Sequence, residues 1–146
     1  GTELLTRLKT ALLDKKTTAL PMFTSCCPAW IKFMEYYHND MLNNLSTCKS
    51  PQQMFGAVAK TYYSKKTGVD PKRLVVVSVM PCTAKKFEMG RDEMNDSGFK
   101  DVDYVLTTRE FGTMIGQAGI DFATLPEGKM DSPLGLSSGA ADIFAN

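Results

Sequence analysis

The sequence predicts an α/β fold in which a parallel sheet is flanked by helices. Three observations support this: helical spacing of apolar residues, two helix-capping patterns, and a run of β-branched residues lying between predicted helices. The run covers residues 74–80, and its continuous apolar character is typical of a central strand in a parallel sheet. Strands that alternate with helices favour parallel pairing through right-handed crossovers.

The helices are predicted from spacing and capping residues. Leucines at helical spacing indicate a first helix within residues 1–16, and a stripe of large apolar residues indicates a second from Trp30 to Tyr37. Ser50, Pro51 and Gln53 form the start of a third helix, in which Gln53 completes a capping box, and Gly68 ends it. Thr107 and Glu110 form a second capping box, whose helix runs to Gly119.

Two shorter strands are predicted at residues 20–25 and 104–106. Residues 88–98 are polar, and residues 122–135 contain two prolines, so both segments are expected to be irregular.

The composition limits the class of protein. The chain has 146 residues, of which 43% are hydrophobic, and a net charge of +1, so it is globular and no nucleic-acid partner is indicated. No apolar run is long enough to span a membrane. The chain begins at Gly1 without Met and stops inside an apolar stretch, so we expect it to be a fragment.

The four cysteines are too few for a disulfide scaffold in a chain of this length. Cys26 and Cys27 are neighbours, and a bridge between them would be strained. We therefore expect reduced thiols in a reducing compartment.

Two cysteine motifs follow predicted strands: Thr-Ser-Cys-Cys-Pro-Ala-Trp at residues 24–30 and Met-Pro-Cys-Thr-Ala-Lys-Lys-Phe-Glu at residues 80–88. In open parallel sheets, ligands bind at the edge formed by the carboxyl ends of the strands, which is where both motifs are expected to lie. The spacing matches neither zinc nor ferredoxin patterns. From the residues alone, these cysteines are either packed small side chains or ligands of a cluster.

Both motifs closely resemble the first two signature motifs of FeFe hydrogenases. The resemblance extends through residues 45–53 and 103–110 and into residues 138–140. It implies that the chain is most of one lobe of a two-lobed catalytic domain. That domain's third cysteine motif is not in this sequence.

The resemblance also implies a cofactor: a [4Fe–4S] cubane joined to a di-iron unit that carries CO, cyanide and a bridging dithiolate amine. Cys27 and Cys82 match two of the four cubane ligands, and Cys26 matches the thiol that relays protons. Ser46, Glu3 and Arg7 match further members of the proton path. The residues that match contacts of the di-iron unit are Lys85, which pairs with a cyanide, and Ser50, Pro51, Gln52, Met80 and Phe144.

On sequence alone, several of these residues would be unremarkable. Glu3 and Arg7 would form an exposed helix pair, Lys85 would be a solvated surface charge, and Ser46 would be a loop or cap residue. Cys48 matches no ligand and is expected to be a packed thiol. Trp30 is expected in the core and His38 at the surface.

The function that the resemblance implies is reversible reduction of protons to hydrogen, with ferredoxin as electron carrier and maturation proteins supplying the di-iron unit. The alternatives are a non-catalytic iron–sulfur assembly factor of the same family, a hydrogen sensor, and a plain α/β binding domain. Cys26, Lys85 and Gln52 together favour the enzyme. The cytoplasm is the favoured compartment, with a hydrogenosome or plastid as the eukaryotic alternatives.

Overall fold

The architecture comes from a computed structural model that describes residues 1–135. The helices in this range are α1 (Thr2–Leu12), α2 (Pro28–Tyr37), α3 (Pro51–Val58), α4 (Ser64–Thr67), α5 (Ala84–Met89) and α6 (Thr108–Gln117), and the strands are β1 (Val77–Met80) and β2 (Tyr104–Thr107). A π-helical turn, Ala59–Tyr63, joins α3 to α4, and 3₁₀ turns lie at Asn39–Asn44, Pro71–Arg73 and Phe122–Thr124. The α/β class is confirmed.

The sheet places the second cysteine motif. β1 and β2 pair in parallel, with Val77 opposite Tyr104 and Met80 opposite Thr107. The predicted strand at residues 74–80 is therefore parallel but shorter, because pairing begins only at Val77. Val77 and Val79 remain about half exposed. Within residues 1–135 no strand pairs with the other edge of β1, so the predicted central position is not observed there.

The core is formed largely by residues in or next to these two strands. Its buried members are Ala59, Val76, Val102 and Val105, and Met80 and Met89 pack against them. Because Met80 is the last residue of β1, this packing fixes the strand end from which the Cys82 loop departs.

The helix caps differ in one respect from the sequence pattern. Thr107 and Glu110 form the predicted reciprocal capping box at the start of α6. At the start of α3, the Ser50 hydroxyl accepts a hydrogen bond from the Gln53 backbone N–H, but the Gln53 side chain does not return one. That side chain is fully buried, and neither of its amide atoms has a hydrogen-bond partner among the described residues.

The predicted strand at residues 20–25 is wrong. Only Phe23 pairs, through a single parallel bridge to Leu45: its N–H donates to the Asn44 carbonyl at 2.8 Å, and its carbonyl accepts from the Ser46 N–H at 2.7 Å. Pro21 lacks an N–H, so it cannot extend the ladder. The bridge still brings the chain leading to Cys26 alongside the loop that carries Ser46.

The predicted irregular segment starts too early, since α5 continues through Glu88 to Met89. Glu88 is buried on this helix and not in a loop. Across the part of the chain that the structure describes, no helix is long and apolar enough to cross a membrane.

Candidate iron–sulfur cluster site

The first cysteine loop ends at the start of α2. Cys27 is the N-cap residue, with extended backbone, and Pro28 occupies the first helical position. The Cys27 N–H donates to the Ser25 hydroxyl at 3.1 Å, which holds the loop in place. Cys26 and Cys27 are both exposed free thiols. A thiol at a helix N-terminus is in a favourable position to bind metal as a thiolate.

The second cysteine loop connects β1 to α5. The Cys82 carbonyl accepts from the Lys85 backbone N–H at 3.3 Å, which closes a turn at the start of the helix. Cys82 is a partly exposed free thiol. The two motifs therefore present accessible cysteines on turns held by local hydrogen bonds.

Lys85 connects the two cysteine loops. Its ammonium donates to the backbone carbonyl of Cys26 and lies 3.2 Å from the Glu88 carboxylate. Lys85 is 7% exposed and Glu88 is 6% exposed. The prediction from sequence alone, a solvated Lys85, is thus wrong, because the side chain is buried and bonded to the Cys26 loop and to Glu88.

Lys85 and Glu88 belong to a larger buried polar cluster, which also contains Ser50, Gln52 and Ser78. The Ser50 hydroxyl donates to Glu88 Oε2 at 2.8 Å, and Gln52 Nε2 lies 3.3 Å from the same oxygen. Gln52 Oε1 accepts from the Ser78 hydroxyl at 2.8 Å. The buried polar cluster therefore joins α3, β1 and α5 next to the two cysteine loops.

A second group of residues forms around Glu3. Its carboxylate accepts from the Ser46 hydroxyl at 2.5 Å, from the Thr47 N–H at 3.1 Å and from Arg7 at 2.8 Å. The hydrogen bond from Ser46, the hydrogen bond from Thr47 and the neighbouring Arg7 guanidinium together lower the pKa of Glu3 to about 2. The carboxylate is therefore ionised at neutral pH.

Arg7 makes the predicted helix pair with Glu3 but is not simply exposed. Its guanidinium also donates to the carbonyls of Ala19, Asn43 and Leu45 at 2.8–3.0 Å. These bonds attach α1 to the two chain segments that meet at the Phe23–Leu45 bridge. The structure thus brings Glu3, Arg7 and Ser46 into one hydrogen-bonded group.

Members of both groups line a common cavity of about 200 Å³: Ser46 from the group around Glu3, and Ser50 and Glu88 from the buried polar cluster. Cys48 and Arg91 also line it. Cys48, predicted to be packed, is exposed, and its backbone N–H donates to the Ser46 hydroxyl within the same loop. The pKa of Glu35 is lowered by the guanidinium of Arg91, which lies beside this cavity.

The remaining predicted residues lie as follows. Pro51 is the first residue of α3, and Met80 is partly buried at the end of β1. Phe144 lies outside the described residues. Trp30 packs edge-on against Phe23, while His38 is partly buried against Phe33.

Glu88 is a member of the buried polar cluster that was not predicted from the sequence. Lys85 and Glu88 are three residues apart, which on a helix is a pairing distance, so the spacing does indicate the pair. Assigning Glu88 to a loop hid that spacing.

The donor set fits part of a cubane site. No group of three potential metal-ligating side chains occurs within residues 1–135. Cys27 and Cys82 are accessible thiols on turns that Lys85 joins, and thiolates are the usual ligands of iron–sulfur clusters.

Comparison with known proteins defines the class. The family model of the iron-only hydrogenase large subunit, C-terminal domain, matches residues 1–146. The chain belongs to this family.

Individual relatives agree with this assignment. The chain is 54% identical over 144 residues to the NADP-reducing hydrogenase subunit HndD of Solidesulfovibrio fructosivorans, covering 99% of this chain and 25% of that protein. It is 53% identical over 133 residues to the periplasmic [Fe] hydrogenase large subunit of Nitratidesulfovibrio vulgaris, covering 91% and 32%. The chain therefore spans about a quarter to a third of the length of these relatives.

A different activity class also appears among the relatives. The cytosolic Fe–S cluster assembly factor NAR1 of Botryotinia fuckeliana is 39% identical over 123 residues, covering 79% of this chain and 22% of that protein.

Among solved structures, an apo variant of the [FeFe]-hydrogenase HydA1 from Chlamydomonas reinhardtii superposes with a TM-score of 0.80 at 45% identity, covering 96% of this chain and 34% of that one. The family implies iron–sulfur chemistry.

Proposed function

We propose that, in the full-length protein, this chain forms part of the site that reversibly reduces protons to molecular hydrogen, with electrons delivered by ferredoxin. The observation that carries the proposal is the position of Lys85, which donates to the Cys26 carbonyl from the helix that follows Cys82. One ammonium group thereby holds the proposed relay thiol and the proposed ligand loop together.

Cys27 and Cys82 would hold two corners of a [4Fe–4S] cubane. Both thiols are accessible, and hydrogen bonds to Ser25 and to Lys85 fix their loops. The other two cubane ligands would come from a motif outside this chain. A di-iron unit with CO, cyanide and dithiolate ligands, inserted by maturation proteins, supplies the hydrogen chemistry when bound.

Cys26, Ser46, Glu3 and Arg7 would move protons between this site and the surface. A thiol can release and regain a proton near neutral pH when its surroundings are tuned. The Ser46 hydroxyl donates to Glu3, so it can release its proton to that carboxylate while it takes up another proton on a free oxygen lone pair. Arg7 keeps the Glu3 carboxylate oriented toward Ser46.

Lys85 would donate a charge-assisted hydrogen bond to a cyanide of the di-iron unit. Ser50, Pro51, Gln52 and Met80 would surround that unit, and Phe144 is proposed to do so from the resemblance alone. Three of these, Ser50, Gln52 and Lys85, already belong to the buried polar cluster. Preformed contacts of this kind orient ligands and tune a metal centre.

The second candidate is a non-catalytic assembly factor, which the identity to NAR1 supports. The pair Cys26–Cys27 favours the enzyme, because the assembly-factor branch typically lacks a cysteine before the ligand. For the compartment we propose the cytoplasm, on the basis of four free thiols.

The test is infrared spectroscopy of the full-length protein, purified without oxygen after expression with the maturation proteins. We expect CO and cyanide stretching bands together with hydrogen evolution from reduced ferredoxin. A cubane EPR signal without those bands, and without hydrogen, would support the assembly factor. Evolution from reduced viologen but not from ferredoxin would contradict only the electron carrier.

A further inference from the structure

We infer that Glu88 is a positioning residue, which fixes the Lys85 ammonium and the Gln52 amide, two of the groups proposed to contact the di-iron unit. The inference rests on the proposed function. Glu88 itself is 6% exposed, yet it is a carboxylate that accepts from three different side chains. Burial of a carboxylate is costly unless pairing and hydrogen bonds compensate its desolvation.

The bonds of Lys85 show what Glu88 does to it. An ammonium group has three N–H donors. One donates to the Cys26 carbonyl, and the two oxygens of the Glu88 carboxylate accept at 3.2 and 3.4 Å. When a single N–H serves both Glu88 oxygens, the third N–H is left for a ligand. Its direction is then defined, because the bonds to Cys26 and Glu88 restrict a flexible side chain.

Glu88 also determines the orientation of Gln52. The Glu88 carboxylate pairs with the Lys85 ammonium and accepts hydrogen bonds, so Gln52 presents its Nε2 group to Glu88. Its Oε1 atom then faces β1, where the Ser78 hydroxyl donates at 2.8 Å. The Ser50 hydroxyl, bonded to Glu88 at 2.8 Å, connects the same carboxylate to the start of α3.

A neighbouring pair serves as a contrast. Lys86 lies next to Lys85 and pairs with Glu110 at 2.5 Å, but both side chains are largely solvent-accessible, at 38% and 48%. Exposed pairs of this kind contribute little order or stability. Glu110→Gln removes the same charge as Glu88→Gln and keeps the capping box, in which Gln can replace Glu.

The test compares Glu88→Gln with wild type in the full-length, maturated protein. We expect unchanged iron content and an unchanged cubane EPR signal, because Glu88 holds neither ligand cysteine. The cyanide stretching bands should shift by more than their linewidth, and hydrogen evolution should fall about 10- to 100-fold, the range typical of residues that support metal ligands. Glu110→Gln should leave both readouts as in wild type.

Two further variants separate positioning from general stability. Glu88→Asp keeps the charge on a shorter side chain, so its cyanide bands should lie between those of wild type and Glu88→Gln. In a Lys85→Met background, Glu88→Gln should cause no further shift of the cyanide band that depends on Lys85. Cyanide bands at the wild-type positions in both Glu88→Gln and Glu88→Asp would overturn the inference. If Glu88→Gln does not fold, wild-type cyanide bands in Glu88→Asp alone would overturn it. Absence of all cyanide bands from the wild-type protein would instead refute the proposed function.

Discussion

Gly56 gives the sharpest test of how α3 is placed. A Cβ atom at this position would lie 2.4 Å from the Asp101 carbonyl oxygen, 2.7 Å from the Asp101 carbonyl carbon and 2.9 Å from a Val102 methyl group. Real Cβ contacts essentially never fall below 3.0 Å, so the backbone would have to separate by at least 0.6 Å. Asp101 cannot yield easily, because it is fully buried and its carboxylate accepts from the N–H groups of Asp96 and Ser97.

The expected loss of stability in Gly56→Ala is the difference between two opposing effects. Overpacking costs about 1–3 kcal/mol, and the rigid Asp101 backbone places this site at the upper end. Replacing a helical glycine by alanine otherwise stabilises the helix by about 0.5–1 kcal/mol. The net loss is about 2 kcal/mol, which is roughly a thirty-fold change in an opening equilibrium, since about 1.4 kcal/mol corresponds to tenfold.

The assay is amide hydrogen exchange, measured by mass spectrometry on the full-length protein. Amides of α3 should exchange about thirty-fold faster in Gly56→Ala than in wild type. Gly112→Ala is the matched control: it also lies within a helix, but its Cβ would meet nothing within 4 Å, so its own helix should exchange more slowly than in wild type. Unchanged or slower exchange of α3 in Gly56→Ala would refute the packing described here.

Three further predictions concern the Glu3 group and the chain as a whole. Hydrogen bonds to Glu3 lower the pKa of its carboxylate from 4.5 to about 2. In the apo protein, the stability that Glu3 adds relative to Glu3→Gln should therefore be complete above pH 4.5 and disappear as the pH falls through about 2. A stability difference between the two proteins that persists below that pH would contradict the assignment. Arg7→Lys should speed amide exchange at residues 43–47 and slow hydrogen evolution, because one ammonium cannot replace the four hydrogen bonds of the Arg7 guanidinium. Unchanged amide exchange would contradict the role of Arg7 in attaching α1. The 146-residue chain alone, reconstituted anaerobically with iron and sulfide, should not yield a stoichiometric cubane or evolve hydrogen, because it supplies only two of the four proposed ligands; robust turnover would contradict that ligand count.

Local patterns predicted those parts of the fold that depend on nearby residues. The capping box of Thr107 and Glu110 forms as predicted, because both partners lie within one helical turn. Gln53 fits the same pattern but does not complete its box, since its side chain is buried instead of turning back to Ser50. Burial depends on residues distant in sequence, which a local pattern does not contain.

The same limit applies to the site. The sequence suggests that Lys85 and Glu88 are polar surface or loop residues, yet both are buried, with bonds to the Cys26 loop and to Ser50 at the start of α3. Glu3 and Arg7 read as an ordinary helix pair, but their further partners lie 12 to 44 residues away. The family resemblance identified most of these positions, whereas their mutual hydrogen bonds required the structure.

The most direct test of the central claim compares Cys26→Ser with Cys27→Ser in the full-length, maturated protein, measuring the cubane EPR signal and hydrogen evolution for each. We predict that Cys26→Ser keeps the cubane signal and loses most hydrogen evolution, because a serine hydroxyl is a far weaker acid than a thiol. Cys27→Ser should lose or strongly alter the cubane signal, because it replaces a proposed ligand. Loss of the cubane in Cys26→Ser, or full activity in either variant, would contradict the division of these adjacent cysteines into a proton carrier and a cluster ligand.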